Sequence, residues 1–210
     1  MLTAFTAGLL LITISELGDK TFFIAVILAM RYPRRLVFAG VVAALAAMTV
    51  ISVLLGSAVS TLPESYVRYG EIVLFLAFGF KLLFDASRMP AGTASSEIQE
   101  AMEMVDRSAS PCAELTEEKV CRVSIFLILL QSFSLTFLAE WGDRTQIATI
   151  ALAASNSPLG VTAGAILGHS ICAAIAVIGG RLIAGRISER TITAIGGGLF
   201  LLFGIVAGFS

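Results

Sequence analysis

The chain alternates long apolar runs with short polar breaks. Runs of about 20 residues, the length that carries a helix across a hydrocarbon core of about 30 Å, fall at 2–30, 36–59, 66–87, 123–154, 159–183 and 191–209. The first and fourth exceed one crossing, and each is interrupted near its middle by a polar block. These blocks read Glu16-Leu17-Gly18-Asp19-Lys20-Thr21 and Glu140-Trp141-Gly142-Asp143-Arg144-Thr145. The third run is the weakest, clean only from Ile72 to Phe84. The pattern predicts an all-α integral membrane protein of six transmembrane helices, with the first and fourth kinked or broken where the blocks lie. Between the third and fourth runs, residues 88–121 are polar. There Ser96 and Gln99 have capping-box spacing, and Ile98, Ala101, Met102 and Val105 recur at helical spacing, which predicts a short amphipathic helix.

Composition removes the soluble alternatives. With 57% hydrophobic and only 14% charged residues, and a mean hydropathy of +0.93, the chain is too apolar for a water-soluble domain. A net charge of -1 gives no electrostatic case for a nucleic-acid partner. Cys112, Cys121 and Cys172 show no CxxC spacing and stand beside a single histidine, so neither a disulfide framework nor a thiolate metal site is expected. Met1 leads into the first apolar run without a basic region or a small-residue cleavage site, so that run is expected to be a retained helix. Arg31, Arg34, Arg35, Arg88, Arg107, Lys119, Arg122, Arg181, Arg186 and Arg190 fall in alternate loops that share one face, against Arg68 alone on the other. By the positive-inside rule both termini are then non-cytoplasmic.

One ungapped offset of 124 aligns the two blocks and their surroundings: Glu16 with Glu140, Gly18 with Gly142, Asp19 with Asp143, Lys20 with Arg144 and Thr21 with Thr145. Leu28, Ala29, Gly40 and Gly56 likewise match Leu152, Ala153, Gly164 and Gly180. The expected organisation is a three-helix repeat at 1–87, an acidic cytoplasmic loop at 88–121 and a second repeat at 122–210. Three crossings per half make the halves enter the membrane from opposite sides, a 3+3 inverted repeat.

Ionised side chains near mid-membrane cost about 2.5 to 3.5 kcal/mol each on insertion scales, so both blocks need a compensating use. In the inverted arrangement they meet near the midplane, with Glu16, Asp19, Glu140 and Asp143 as a four-carboxylate cation site and the hydroxyls of Thr21 and Thr145 in support. The central glycines allow an unwound turn. A donor set of oxygen alone suits Ca²⁺, Mn²⁺ or Mg²⁺ rather than copper or zinc. Four carboxylates balanced by Lys20 and Arg144 leave two negative charges, which one divalent cation or two protons would cancel, and this predicts cation/proton exchange. Three other readings compete: a divalent-cation channel sharing the acidic ring, ion-pair locks of Glu16 with Lys20 and of Glu140 with Arg144, and a membrane enzyme. The last lacks a nucleophile, a base or a phosphate-binding glycine loop.

The duplicated E-x-G-D-[KR]-[ST] motif, one copy in each half with an acidic loop between, resembles the uncharacterised protein family sixteen, the second calcium/cation antiporter family. The resemblance covers essentially the whole chain. It implies a multi-pass secondary transporter that exports Mn²⁺, or Ca²⁺ as the alternative, from the cytoplasm in exchange for protons, with no prosthetic group and no enzymatic activity. It makes Glu16, Asp19, Glu140 and Asp143 the metal ligands, and the small size points to a bacterial inner or cyanobacterial internal membrane. The partners are then the cation, protons and the lipid bilayer, and nothing in the pattern fixes whether the chain works alone or as a homo-oligomer.

Several other residues have two readings. His169, near mid-depth of the fifth run, is a proton relay or a hydrogen-bonded core histidine. Gly160, Gly164 and Gly168 form a strip for close helix packing or for sliding. Lys81 and Asp85 are a snorkelling pair. Thr13, Ser15, Gln131, Ser132, Ser134 and Thr136 line an ion path or bond their own backbone. Gln146 stands where the first copy has Phe22, and is a candidate extra ligand. The loop acids Glu97, Glu100, Glu103, Asp106, Glu114, Glu117 and Glu118 make a solvated linker or a cation sensor.

Overall fold

The computed structural model describes residues 1–89, 95–108, 120–183 and 189–209, with side chains described except at 95–97, 120–124, 180–183 and 189. The Ser96 side of the capping box, Glu97, Glu114, Glu117, Glu118, Lys119, Arg122, Arg181, Arg186, Cys112 and Cys121 lie outside those described side chains. The described residues form the helices α1 (Leu2–Glu16), α2 (Lys20–Arg31), α3 (Arg34–Val59), α4 (Glu64–Arg88), α5 (Ser95–Ser108), α6 (Val120–Glu140), α7 (Arg144–Ser155), α8 (Pro158–Ile183) and α9 (Glu189–Phe209).

Both long apolar runs break at the polar block. Gly18 and Gly142 adopt φ of 84° and 82°, a left-handed conformation that costs any residue with a Cβ about 1–2 kcal/mol. Each turn leaves the following aspartate in extended backbone, as the residue just before a new helix. Helical bonding resumes where Phe23 N–H donates to Asp19 C=O and Ile147 N–H to Asp143 C=O, each at 3.2 Å. Across the second break the chain bends by 73°. The aspartates therefore sit on turns, and not on the continuous helical face that a three-residue spacing would suggest.

Among the described residues, three single helices are long and apolar enough to cross a membrane: Arg34–Val59, Pro158–Gly179 and Arg190–Phe209. The bent pair α6 and α7 makes a fourth if it counts as one broken span. The helix α4 is long but carries Glu64, Arg68, Glu71, Lys81 and Asp85, and α1 is apolar but short. Leu54, Val73, Phe80, Ile178 and Leu202 stand exposed on the outer surface, an arrangement that suits lipid.

The repeat reappears in the packing. A Cβ added to Gly40 on α3 would meet Leu129 C=O and the Phe133 nitrogen on α6; one added to Gly164 on α8 would meet Phe5 C=O and the Leu9 nitrogen on α1. Every residue of the second contact is related to one of the first by the offset of 124, so a single helix crossing occurs twice with the halves exchanged. Gly160 and Gly168 extend the α8 contact along α1, and the glycine strip is in use for close packing. On the flank, α4 and α9 run antiparallel, with Leu82 beside Gly197, Leu76 beside Gly204, and Arg68 donating to the carbonyls of Ala207 and Gly208.

At the centre, every residue of α2 from Thr21 to Leu28 is buried. It is walled by Val37, Val41 and Leu45 of α3, Ile128 and Leu135 of α6, and Ala173, Ala176 and Val177 of α8. The expected amphipathic helix is α5, and it forms the last wall with Ala101 and Val105 buried. Its roll differs from the expected one. Met102 is exposed while Met104 packs inward, because positions 102 and 104 flank the Ile98, Ala101 and Val105 stripe on opposite sides. An ion pair of 2.6 Å from Arg31 to Asp106 ties α5 to α2, and Gln131 on α6 donates to both the carbonyl and the hydroxyl of Ser108. Lys81 and Asp85 form no ion pair; one turn on, Arg88 lies 4.2 Å from the centre of the Phe84 ring.

Candidate metal centre

The two broken helices bring Glu16, Asp19 and Glu140 together. One carboxylate oxygen from each lies within 4.8 Å of the others, and all three residues are buried. The surroundings of the glutamates repeat. Thr21 Oγ1 donates to Glu16 Oε2 at 3.2 Å, and Thr145 Oγ1 to Glu140 Oε2 at 3.3 Å. In each case the other oxygen, Oε1, is buried with no partner among the described residues. Buried polar atoms are almost always satisfied, so two such orphans in one cluster are what a site for a cation or proton leaves behind. The residues present fit a hard divalent cation: carboxylate and hydroxyl oxygens converge, with threonine holding one oxygen of each glutamate so that the other is free to ligate.

Asp143 is not part of this convergent group. Its carboxylate accepts from Thr145 Oγ1 at 3.5 Å and lies 3.9 Å from Arg144 Nε. Arg144 reaches across the repeat instead, with its other end 3.4 Å from Asp19 Oδ1. Neither Glu16 with Lys20 nor Glu140 with Arg144 pairs, because the glycine turn separates each acid from the helix that carries its would-be partner. Lys20 makes no ion pair among the described residues.

Two openings meet the cluster. A cleft descends along the first half of α9, past Ile192, Thr193 and Gly196, to Asp19, Arg144 and Thr145. Arg144 stands in it with its side chain about one-third exposed, at 37%. A small cavity between α3, α7 and α8 is lined by Met48, Thr49, Ser52, Glu140, Thr145, Gln146, Thr149 and His169. Gln146 spends its oxygen on the Gly142 N–H at 2.7 Å, and its amide nitrogen donates to Met48 Sδ at 3.3 Å. His169 is buried with Nδ1 unpartnered. The hydroxyls of Thr13, Ser15, Ser132 and Thr136 are likewise buried without partners among the described residues.

Two residues gave no signal in the sequence. Met48 is one apolar side chain in an apolar helix until folding sets it beside Glu140. Glu71 lies at the polar edge of the weakest run, yet the fold buries it facing Ser155.

Comparison with known proteins points one way. A family model described as the divalent cation/proton antiporter GDT1 matches residues 4–90 and 128–210. The chain is 61% identical over 207 residues to the GDT1-like protein sll0615 of Synechocystis sp., covering 99% of this chain and 97% of that one. It is 43% identical over 215 residues to the chloroplastic GDT1-like protein 2 of Oryza sativa subsp. japonica, covering 99% of this chain but 61% of the relative. To the chloroplastic PAM71-homolog of Arabidopsis thaliana it is 42% identical over 209 residues, covering 96% and 58%. No solved structure matches the chain.

Proposed function

The chain belongs to the GDT1 family of divalent cation/proton antiporters, and from that premise we propose that it exchanges a divalent cation, Mn²⁺ before Ca²⁺, for protons and exports the cation from the cytoplasm by alternating access. The observation that carries this is the convergence of Glu16, Asp19 and Glu140, from both copies of the motif, within 4.8 Å of one another. The preference for Mn²⁺ comes from the family resemblance. The ligands are Glu16, Asp19, Glu140 and Asp143, with Thr21 and Thr145 orienting the glutamates.

The reading includes six crossings arranged as a 3+3 inverted repeat, in a bacterial plasma membrane or internal membrane, with both termini outside the cytoplasm. It is supported by the doubled glycine crossing and by the two equivalent turns at Gly18 and Gly142. In this scheme the cleft along α9 faces the cytoplasm. A cation arriving there displaces Arg144 from Asp19 and gains the free oxygens of Glu16 and Glu140. Exchanging the environments of the two halves releases it on the other side, and Asp143 takes the inner position that Asp19 held. Protons then neutralise the carboxylates for the return. Because protons and metal compete for the same oxygens, acidifying the loading side weakens cation binding.

The test is transport by the purified chain in proteoliposomes with an imposed pH gradient, comparing Mn²⁺, Ca²⁺ and Mg²⁺. Cation flux coupled to proton counterflux is expected, and Glu140→Gln should lower it more than about a hundredfold, which corresponds to roughly 3 kcal/mol. Flux that persists without a proton gradient and grows linearly with voltage would establish a channel instead. Coupled flux unaltered in the variant would remove the four-carboxylate mechanism.

A further inference from the structure

The carboxylate cluster offers oxygen alone, which holds Ca²⁺ and Mg²⁺ as readily in kind as it holds a transition metal. The cavity behind it differs. It shares Glu140 and Thr145 with the cluster and adds the imidazole of His169 and the thioether of Met48. His169 is 5% exposed and its Nδ1 has no partner among the described residues. The hydroxyls around it are already turned for acceptance or ligation. Thr49 donates to Leu45 C=O, Ser52 to Met48 C=O and Thr149 to Thr145 C=O, each spending its proton on its own helix. Thr49, Ser52, Thr149, Glu140, His169 and Met48 therefore line one small cavity.

The equivalent place in the repeat, between α2, α3 and α8, carries different side chains. Shifted by 124, Gln146, Thr149, Met48, Thr49 and Ser52 correspond to Phe22, Ala25, Cys172, Ala173 and Ala176, which are buried around α2. Cys172 is committed, with its thiol donating to Thr13 C=O at 3.3 Å. Ordinary core packing would have filled both places alike.

We propose that the cavity between α3, α7 and α8 is a second cation subsite on the transport path, in which Met48 Sδ and His169 Nδ1 join Glu140 to select a first-row transition dication over Ca²⁺ and Mg²⁺. Neither Ca²⁺ nor Mg²⁺ gains from nitrogen or sulfur donors, whereas a transition dication does. A cation leaving the three-carboxylate cluster keeps Glu140 as the shared ligand while it exchanges oxygens for these two atoms. The inference rests on the antiport reading for the direction of flow and adds a selection step to it.

Two measurements on the full-length chain test it. In the first, the protein is loaded with Mn²⁺ alone and examined by electron spin-echo spectroscopy. Nitrogen-14 modulation from imidazole is expected, and it should disappear in His169→Gln. In the second, proteoliposomes carrying Met48→Leu, which keeps the volume and removes only the sulfur, are compared with wild type in Mn²⁺ and Ca²⁺ together. The ratio of Mn²⁺ to Ca²⁺ uptake should fall about tenfold, the scale on which losing one soft ligand acts. Because the readout is a ratio, a variant with fewer folded copies still answers. A ratio unchanged in Met48→Leu, or no nitrogen modulation in wild type, overturns the subsite. Glu16→Gln separates the two readings: if it abolishes proton-coupled uptake while the ratio is unmoved by Met48→Leu, the antiporter stands and the subsite falls.

Discussion

The two copies of the motif have the same turn and the same threonine-to-glutamate bond, yet they live in different surroundings. In the first copy, Gly18 is buried and the following helix α2 is buried at every residue from Thr21 to Leu28. In the second, Gly142 and Trp141 are exposed, and α7 is buried only along Thr145, Ala148, Thr149, Leu152 and Ala153. Where Phe22 fills space, Gln146 bonds to the neighbouring turn and to Met48. In the proposed inverted repeat, halves that exchange roles look unequal in any one conformation. The inequality here places the sealed environment around α2 and the polar one around α7, so the second half is the one less bound by packing.

The sharpest way to break that comparison is to truncate one pair of repeat-related side chains. Phe23 is 1% exposed and its counterpart Ile147 is 36% exposed. Phe23→Ala should cost about 3–5 kcal/mol, and Ile147→Ala at the exposed edge of α7 about 0.5 kcal/mol. Thermal unfolding in detergent measures both. Similar losses would mean that α7 is packed as firmly as α2 and that the asymmetry does not hold in solution.

Much of this was readable beforehand, for identifiable reasons. The blocks stand out because charge within an apolar run is rare, and the offset of 124 pairs residues far beyond them. Glycine between Glu and Asp signalled the broken helix. Nothing in the residue pattern separates Asp19 from Asp143, because the difference comes from Arg144 reaching across the repeat to Asp19, a contact set by three-dimensional placement alone. The stripe on α5 was visible, but the surface it covers was not. Glu71 was masked by its place at the end of a weak apolar run, and Met48 by being chemically ordinary for a helix interior.

A smaller effect separates the turns themselves. Gly18 and Gly142 have nearly the same φ, 84° and 82°, so Ala at either position carries the same backbone cost of about 1–2 kcal/mol. A Cβ at Gly142 meets nothing within 4 Å, so Gly142→Ala should show that cost alone, whereas Gly18→Ala adds whatever crowding its buried site imposes. The difference in melting temperature between the two variants isolates the packing contribution. Equal melting temperatures would show that the turns differ in exposure without differing in constraint.

The smallest effect concerns the helix that covers the first copy. The ion pair between Arg31 and Asp106 is short, at 2.6 Å, but its side chains are 42% and 63% exposed. Its worth is therefore under about 1 kcal/mol, and Asp106→Asn should hardly change the melting temperature. Transport rate is the more sensitive readout. If the halves exchange environments, the wall that α5 builds over α2 must loosen in each cycle, and a bond made only in the closed arrangement slows that step. Removing it should raise turnover about two- to fivefold, the rate equivalent of roughly 0.5 to 1 kcal/mol. Between two exposed charges the effect is screened by salt, so the gain should shrink as ionic strength rises. A turnover indifferent to both the substitution and the salt would mean that α5 stays docked throughout the cycle, and the sealed half would then be a fixed frame against which α7 alone moves.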